Sequence, residues 1–369
     1  MALRDNRVRH AGLAVVGGAK TPPVPKVSGE GARVLIVDDS AVARSVLSRM
    51  IDGFDGFSVA GAFSHADKAL DFLKSNKVEI ILLDLEMPGI NGLTALPDLL
   101  VASDPAKVLI VSSTARDGAA QTVQALALGA AGTLVKPAAG SLAGLFEDAL
   151  NEKLRRLVEP DSAALGTTTL PFSPQQVGAF DLIAIGASTG GIHALSQMLR
   201  QIPASVDEPM LITQHLPASF MSYFAAQVAV LAGRPCDVAT DRMRIRRGRV
   251  IIAPGHAHMV CIKTAEGAAI RLSEAPSVSG CLPSVDPMLE SAGEVFGARA
   301  LGVVLSGMGR DGALGAASLI ERGGRIIAQD QQSSVIWGMP GAVVQGGLAK
   351  LVLPPEEIGR VIATRRRFG

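Results

Sequence analysis

Short apolar segments alternate with helical patterns along the first part of the chain, and polar residues follow most of these segments. Short apolar runs bounded by turn residues are typical of strands buried in a parallel sheet, whereas apolar residues at i, i+3 and i+4 indicate helices. Predicted strands occupy Arg33 to Ser40, the surroundings of Val59, Glu79 to Leu85, Lys107 to Ser113 and Gly132 to Pro137. This alternation predicts a parallel sheet with helices on both faces.

The same alternation returns after Phe180. Predicted strands lie at Leu182 to Ile185, Met210 to Thr213, Val250 to Ala253 and Leu301 to Leu305, and a hairpin is predicted from Met259 to Lys263 and Ala269 to Leu272. We therefore expect an α/β protein made of two doubly wound parallel-sheet domains, the second with a β-hairpin excursion.

Composition indicates where the domains begin and end. The 369 residues suit two or three domains, and a hydrophobic content of 48% can supply their cores. Residues 1–31 combine arginines, a glycine-interrupted apolar stretch and prolines, which we interpret as a disordered leader rather than a signal peptide. Residues 158–178 are rich in Pro, Ser, Thr and Gly and predict a linker. The domains are then expected at 32–157 and 179–369.

The chain totals exclude several classes of protein. A net charge of +1 lacks the excess of positive charge that is typical of nucleic-acid-binding proteins. The three widely spaced cysteines, Cys236, Cys261 and Cys281, predict neither a disulfide framework nor a metal cluster and fit a reducing, cytoplasmic compartment. No apolar run approaches the ~18 residues of a membrane span, so we expect a protein that is not inserted in the membrane.

Charged and hydroxyl side chains follow the predicted strands of the first domain. Asp38 and Asp39 follow one strand, Asp84 ends another, Thr114 follows a run ending in serines, and Lys136 ends the last. Carboxylates at one sheet edge repel each other unless a hard cation such as Mg²⁺ binds them. A hydroxyl and a lysine suit a phosphoryl group carried by one carboxylate. Taken singly, each acid could instead be a helix N-cap and the lysine a solvated charge.

Ser188 lies in a glycine-rich turn between an apolar run and a helical pattern, in the segment I-G-A-S-T-G-G. Such a turn places a residue at the carboxyl end of a strand, where α/β sheets bind their ligands. Ser188 is therefore a candidate nucleophile. A turn without chemistry and a phosphate cradle are the alternatives, although the lysine of a P-loop is missing.

His215 and Asp311 also follow predicted strands, in Q-H-L-P and S-G-M-G-R-D-G. A serine, a histidine and an acid at three strand ends are what an acyl-transfer triad requires, because the acid orients the histidine that deprotonates the serine. The glycines around Met308 leave backbone N–H groups free for an oxyanion. Taken singly, Asp311 could be a helix N-cap and His215 a buried, hydrogen-bonded histidine.

Residues 33–155 resemble the receiver domain of response regulators, which is flavodoxin-like. The resemblance rests on V-D-D-S, L-D-L-E-M-P-G-I-N-G-L, S-S-T-A and V-K-P. It implies that Asp84 is the phosphorylated residue and that Thr114 and Lys136 contact the phosphoryl group. It also implies a Mg²⁺ site formed by Asp38, Asp39, Asp84 and the backbone carbonyl of Glu86. Thr133 departs from the family, which usually has an aromatic residue at this position.

The segment from Asp181 to Leu353 resembles the catalytic domain of CheB, the chemotaxis protein-glutamate methylesterase. The motifs I-G-A-S-T-G-G, Q-H-L-P, I-A-P-G-x-x-H, P-S-V-D, S-G-M-G-R-D-G-A and S-S-V-I-W-G-M-P occur in that order. The resemblance implies a triad of Ser188, His215 and Asp311, with the Met308 N–H in the oxyanion hole. No cofactor is expected for the esterase step.

The family hydrolyses glutamate methyl esters on chemoreceptors, releasing methanol, and many members also deamidate receptor glutamines. The resemblance therefore implies methyl-accepting chemoreceptors as substrates and a chemotaxis histidine kinase as phosphodonor, with the receiver covering the catalytic face until it is phosphorylated. An esterase of another target and a binding module without turnover are the alternatives. Four residues depart from the family pattern and bear on the substrate groove: Ile192, Met221, Leu282 and Gly341.

Overall fold

The structure, a computed structural model, describes residues 31–112, 116–136, 143–158 and 179–364. The predicted leader and linker lie outside the described residues, apart from one residue at the boundary of each. Within the described ranges, the strands form two parallel sheets and one separate hairpin. None of the helices in these ranges has both the length and the apolar character needed to span a membrane.

The first domain is a five-stranded parallel sheet with the strand order β2-β1-β3-β4-β5. Its strands are β1 (Ala32–Val37), β2 (Phe57–Phe63), β3 (Ile80–Leu83), β4 (Lys107–Ser112) and β5 (Gly132–Val135). Its helices are α1 (Ala41–Asp52), α2 (Ala66–Leu73), α3 (Gly92–Ala102), α4 (Arg116–Leu128) and α5 (Ala143–Val158). The predicted alternation of strands and helices is confirmed.

The apolar runs of this sheet fill two separate layers. Leu35 and Ile81 pack on one side of the sheet, while Ile36 and Leu82 pack on the other. Successive strand residues point to opposite faces, so a strand covered by helices on both faces has no position for a polar residue. The polar residues therefore come after the strands, at the carboxyl edge of the sheet.

The second domain has a seven-stranded parallel sheet with the order β14-β13-β12-β6-β7-β9-β8. Its strands are β6 (Leu182–Ala187), β7 (Met210–Gln214), β8 (Cys236–Val238), β9 (Val250–Ile252), β12 (Ala300–Val304), β13 (Arg325–Gln329) and β14 (Leu351–Leu353). Its helices are α6 (Gly191–Leu199), α7 (Met221–Ala232), α8 (Val285–Phe296), α9 (Ala313–Glu321), α10 (Gly338–Gln345) and α11 (Pro355–Ala363).

The strand order of this sheet reverses next to β6. Ile185 of β6 pairs with Ile212 of β7 on one side and with Val303 of β12 on the other. The chain builds the sheet outward from β6 through β7, then returns to β12 and builds outward in the other direction. A crevice opens at such a switch point, beyond the carboxyl ends of the strands. Ser188, His215 and Asp311 follow these three neighbouring strands.

The predicted hairpin is present as an antiparallel pair, β10 (His258–Thr264) and β11 (Gly267–Ser273). Its inward side chains, among them Met259, Cys261 and Ile270, pack into the same core layer as helix α8. The hairpin therefore supports the N-terminal end of α8, which approaches the crevice.

Candidate active site

Ser188 follows β6 directly, and two hydrogen bonds of its backbone fix its position. Its N–H donates to the carbonyl of Ser306 at 3.0 Å, and its own carbonyl accepts from Gln214 Nε2 at 2.9 Å. Gly190 then turns the chain into α6 with a φ of +75°, which a glycine adopts without steric cost. A Cβ at Gly190 would lie only 2.4 Å from Val335 Cβ. The glycines of this motif are thus required by the turn that presents Ser188.

His215 follows β7, and its backbone N–H donates to the carbonyl of Ala187 at 3.2 Å. Its ring Nε2 donates to Asp311 Oδ2 at 2.8 Å, so Nδ1 is the ring nitrogen that can act as an acceptor when the imidazole is neutral. Burial alone would lower the pKa of His215, but hydrogen bonds to Asp311 and to the Cys281 thiol raise this pKa to about 9. At neutral pH the imidazole in this conformation is therefore protonated on both nitrogens, and Nδ1 can accept a proton only after His215 has lost one.

Asp311 lies buried at the end of the loop that follows β12, and it does not cap helix α9. Besides His215, its carboxylate accepts from Ser284 Oγ at 2.6 Å and from the N–H groups of Val285 and Asp286 at 2.7 and 3.3 Å. Burial alone would raise the pKa of Asp311, but the bonds from His215, Ser284 and Val285 outweigh it and lower the pKa. Asp311 is therefore a fixed negative charge beside His215.

Met308 lines the same cavity as Ser188 and His215. The loop that carries it is fixed on both sides, because the Gly307 N–H donates to the Ile336 carbonyl at 3.0 Å and the Gly307 carbonyl accepts from the Met339 N–H at 2.8 Å. A Cβ at Gly307 would lie 2.9 Å from Ser188 Cβ, so only a glycine allows the loop this close to the serine. Met308 therefore follows directly after a residue that is held against Ser188.

The cavity in front of Ser188 is closed on one side by the first domain. It has a volume of about 570 Å³ and is lined by both domains. Glu152, Lys153 and Arg156 of α5 line it together with residues of β5, and Arg156 Nη1 lies 2.6 Å from Met308 Sδ. Helix α5 therefore faces the residues predicted to perform the chemistry.

Hydrogen bonds to backbone carbonyls of the first domain connect it to Gly190 and to helix α6. The Gly190 N–H, next to the serine turn, donates to the Ala131 carbonyl at 3.0 Å. His193 Nδ1 donates to the Ala127 carbonyl at 3.0 Å, and Ser196 Oγ donates to the same carbonyl at 3.3 Å. In this conformation the first domain covers the entrance to Ser188.

The acids predicted at the edge of the first sheet lie together. Ligand oxygens of Asp38, Asp39 and Asp84 are all within 4.8 Å of one another. Lys136 Nζ lies 2.5 Å from Asp84 Oδ2 and 2.9 Å from Asp38 Oδ2. Burial raises the pKa of Asp84 more than the lysine lowers it. Three carboxylates facing one ammonium leave negative charge, and all their oxygens are hard ligands, so this donor set fits a divalent cation such as Mg²⁺.

The structure places Glu86 and Thr133 in different surroundings, and it does not describe Thr114. Glu86 lies beside Asp84, and its N–H donates to Asp84 Oδ1 at 3.2 Å. Thr114 lies outside the described residues. Thr133 lies on β5 at the wall of the interdomain cavity, and its buried hydroxyl has no hydrogen-bond partner in the part of the chain that the structure describes. The aromatic position of other receivers is thus part of the domain interface here.

Comparisons with known proteins match both halves of the chain. A family model described as CheB methylesterase matches residues 183–362, and one described as response regulator receiver domain matches residues 34–143. The protein-glutamate methylesterase/protein-glutamine glutaminase 2 of Caulobacter vibrioides is 41% identical over 345 residues, covering 91% of this chain and 99% of the relative. The chain belongs to the CheB family. A second such enzyme, from Paramagnetospirillum magneticum, is 37% identical and covers 90% of this chain and 96% of its own length.

A solved structure of the same family also matches. The CheB methylesterase catalytic domain of Thermotoga maritima is 30% identical, covers 50% of this chain and 98% of its own, and aligns with a TM-score of 0.48.

The four departures from the CheB pattern fall in two environments. Leu282, which is 49% exposed, and the buried Ile192 line the cavity in front of Ser188. Met221 and Gly341 are buried and do not line this cavity, and a Cβ at Gly341 would lie 3.0 Å from Trp337 Cε3. Of the four residues, Leu282 and Ile192 therefore line the cavity, and an effect of the four on the substrate groove stays a prediction.

The arginine-rich segment before β9 is largely paired in this CheB chain. Four of its arginines contact acids: Arg242 with Asp241, Arg244 with Glu266, Arg247 with Asp207 and Glu208, and Arg249 with Asp237. The segment is thus mainly a solvated, ion-paired face.

Sequence reasoning assigned no role to four residues that surround the proposed triad. Ser284 and Asp286 approach Asp311, His258 Nδ1 accepts from the Ser284 N–H at 2.9 Å, and Cys281 bonds the ring of His215. Burial, followed by proximity to Asp311, raises the pKa of Asp286 to about 6. The P-S-V-D motif contains Ser284 and Asp286, and the I-A-P-G-x-x-H motif ends in His258, whereas none of the quoted motifs contains Cys281.

Proposed function

We propose that this protein is a protein-glutamate methylesterase that also deamidates glutamines and is activated by phosphorylation. The two activities are those that the names of its relatives give for those proteins. The observation that carries the proposal is the 2.8 Å bond between His215 Nε2 and Asp311 Oδ2 at the wall of the cavity that contains Ser188. An ester hydrolase needs a nucleophile, a base and an oxyanion site, and this crevice can supply all three.

The reaction proceeds through an acyl-enzyme. Ser188 Oγ adds to the ester carbonyl while His215 Nδ1 takes its proton, and the Met308 N–H donates to the resulting oxyanion. Collapse of the intermediate expels methoxide, which takes the proton from His215 and leaves as methanol. Water then adds to the acyl-serine in the same way and releases the glutamate carboxylate. A glutamine side chain follows the same course, with ammonia as the leaving group.

The receiver site is proposed to regulate this reaction. We assign phosphorylation to Asp84, with Asp38, Asp39, Asp84 and the Glu86 carbonyl as Mg²⁺ ligands and Thr114 and Lys136 as phosphoryl contacts. When bound, Mg²⁺ would shield the charge of the incoming phosphoryl group. Lys136 now pairs with Asp84 and Asp38, and it follows β5, which lines the interdomain cavity. A new negative charge on Asp84 therefore acts directly beside the strand that contacts the catalytic domain.

The substrates and partners follow from the family. We propose cytoplasmic chemoreceptor helices that carry methylated glutamates as substrates, and a chemotaxis histidine kinase as phosphodonor. The cytoplasmic location rests on those partners.

The test is methanol release from methylated receptor membranes, with and without acetyl phosphate and Mg²⁺. We expect the wild-type protein to release methanol, release to increase with the phosphodonor, and Ser188→Ala to abolish it. Ser318→Ala is the matched control, because Ser318 lies on α9 and bonds to Arg322 rather than to the proposed triad or to the first domain. Equal release by Ser188→Ala and wild type would refute the nucleophile assignment.

A further inference from the structure

A thiol lies next to the proposed triad, although the hydrolysis has no use for it. Cys281 is a half-buried, free cysteine in the loop before α8, and it lines the cavity that contains Ser188. Its thiol bonds to the ring of His215. One ligand atom from each of His215, Cys281 and Asp311 lies within 4.8 Å of the other two. An imidazole, a thiol and a carboxylate therefore converge at one point on the cavity wall.

We propose that His215, Cys281 and Asp311 bind a zinc ion that inhibits the esterase. Imidazole nitrogen, thiolate sulfur and carboxylate oxygen are the three ligand types that Zn²⁺ takes, and three protein ligands leave the fourth tetrahedral position for water from the cavity. The thiolate selects zinc over Mg²⁺ and Ca²⁺. One thiolate and one carboxylate also balance the double positive charge of the ion, which suits a site that is largely buried.

The hydrogen bonds of Asp311 allow this ligation. Its Oδ2 accepts from His215 Nε2 at 2.8 Å and from the Val285 N–H at 2.7 Å. Zinc would replace the proton that His215 donates and leave the bonds from Val285 and Ser284 in place. At zinc–ligand distances of about 2.0–2.2 Å, a tetrahedral ion holds its nitrogen and oxygen ligands about 3.3 Å apart. The distance between His215 Nε2 and Asp311 Oδ2 must therefore increase by roughly half an ångström.

The other cysteines and the other acid cluster do not offer this combination. Burial raises the pKa of both Cys236 and Cys261 to about 12, so their thiolates form poorly. Asp38, Asp39 and Asp84 provide oxygen ligands alone, which suit a hard cation. Ligand softness therefore separates a zinc site in the catalytic domain from a magnesium site in the receiver.

Zinc at this position would disable the base. A neutral imidazole that binds a metal through Nε2 carries its remaining proton on Nδ1. Nδ1 is the nitrogen proposed to accept the proton of Ser188, so the metallated histidine cannot deprotonate the serine. This inhibitory consequence rests on the proposed triad, whereas zinc binding itself does not.

Binding is tested first, without substrate. Zinc affinity of the full chain is measured by competition with a chromophoric chelator, in excess Mg²⁺ that occupies the receiver acids. We expect Cys281→Ser to weaken zinc binding by at least about tenfold and Cys236→Ser, the matched control, to bind as wild type does. Co²⁺ should give a near-ultraviolet thiolate charge-transfer absorption in wild type that Cys281→Ser lacks. Unchanged zinc affinity in both Cys281→Ser and Cys281→Ala would overturn the site.

Inhibition is tested second, by methanol release from methylated receptors relative to the zinc-free rate of each variant. Wild type should lose activity over the zinc range that saturates the chelator assay and recover it when a chelator is added, while Cys281→Ser should need at least about tenfold more zinc. Zinc binding without loss of activity would overturn the inhibitory role. An absence of methanol release from zinc-free wild type would instead contradict the proposed function and leave the binding result standing.

Discussion

At the scale of single residues, the acid of the triad is fixed from several sides. Asp311 is buried and accepts from Ser284, Val285 and Asp286 in addition to His215. Ser284 is itself held, because its N–H donates to His258 Nδ1. A carboxylate with this many donors stays ionised and keeps one orientation, which the proposed role of His215 as a general base requires.

Removing the Ser284 hydroxyl should therefore impair turnover. A hydrogen bond to a buried charge is worth about 1.5–3 kcal/mol, so we expect Ser284→Ala to lower kcat by roughly 10- to 100-fold with little change in KM. Steady-state methanol release gives both constants, and Ser284→Thr should recover much of the loss. Ser291→Ala is the control. Ser291 is buried like Ser284, but it lies on α8 and bonds to Pro287 and Cys261 rather than to the proposed triad. An equal loss in both variants would indicate a structural role alone.

The histidine predicts a pH dependence. A general base works in its neutral form, and the pKa of His215 is raised from 6.5 to about 9 in the covered conformation. Hydrolysis by the unphosphorylated protein should therefore increase as the pH rises toward about 9, by up to about tenfold per pH unit below the pKa. Initial rates are measured across this range, with Ser188→Ala subtracted for hydrolysis of the ester by hydroxide. A flat profile would contradict the assignment of His215 as the base.

At the scale of elements, three neighbouring strands and two receiver helices define the site. Strands β6, β7 and β12 bring the three triad residues to one crevice. Helix α4 packs against α6 and α7, and helix α5 lines the cavity. The receiver therefore covers the crevice at the edge of the catalytic sheet and lines its outer wall.

Helix α5 provides a test of this contact. Arg156 reaches Met308 across the interface, whereas the adjacent Arg155 bonds to Asn151 and to the Asp55 carbonyl within its own domain. We expect Arg156→Ala to raise methanol release by the unphosphorylated protein severalfold, because the receiver then covers the crevice less tightly. Arg155→Ala, the matched control, should not. Equal rates in Arg156→Ala and wild type would mean that this contact does not contribute to the cover.

At the scale of the whole molecule, the two domains meet through surfaces close to both functional sites. Lys136 pairs with Asp84 at the receiver edge, and the strand that precedes it lines the interdomain cavity. One strand and the helices beside it therefore connect the proposed phosphorylation site to the proposed triad. An equilibrium between covered and open arrangements can respond to a charge change at Asp84.

The activation ratio tests this coupling. We expect Asp84→Asn to remove the increase in methanol release that acetyl phosphate and Mg²⁺ cause, because the variant has no carboxylate to phosphorylate. Asp67→Asn is the control, since Asp67 lies in the first turn of α2, in the same domain but outside the acid cluster. If Asp84→Asn still responded fully, phosphorylation would have to act elsewhere.

The sequence by itself determined the fold class and the candidate triad. Apolar runs covered on both faces leave no place for polar residues within a strand, so Ser188, His215 and Asp311 could be assigned to strand ends from local patterning. The glycines beside Ser188 likewise predicted a tight turn, because the backbone conformation of a turn depends on local sequence. The order of the motifs then indicated the family.

Only the tertiary structure decided which residues surround that chemistry. Cys281 bonds to His215, which lies more than sixty positions earlier, and Ser284 bonds to Asp311, 27 positions later. Both precede α8, which packs in one core layer with the hairpin. Arg156 meets Met308 across 152 positions for the same kind of reason. Strand order and domain docking depend on the packing of the whole chain, and no local pattern records them.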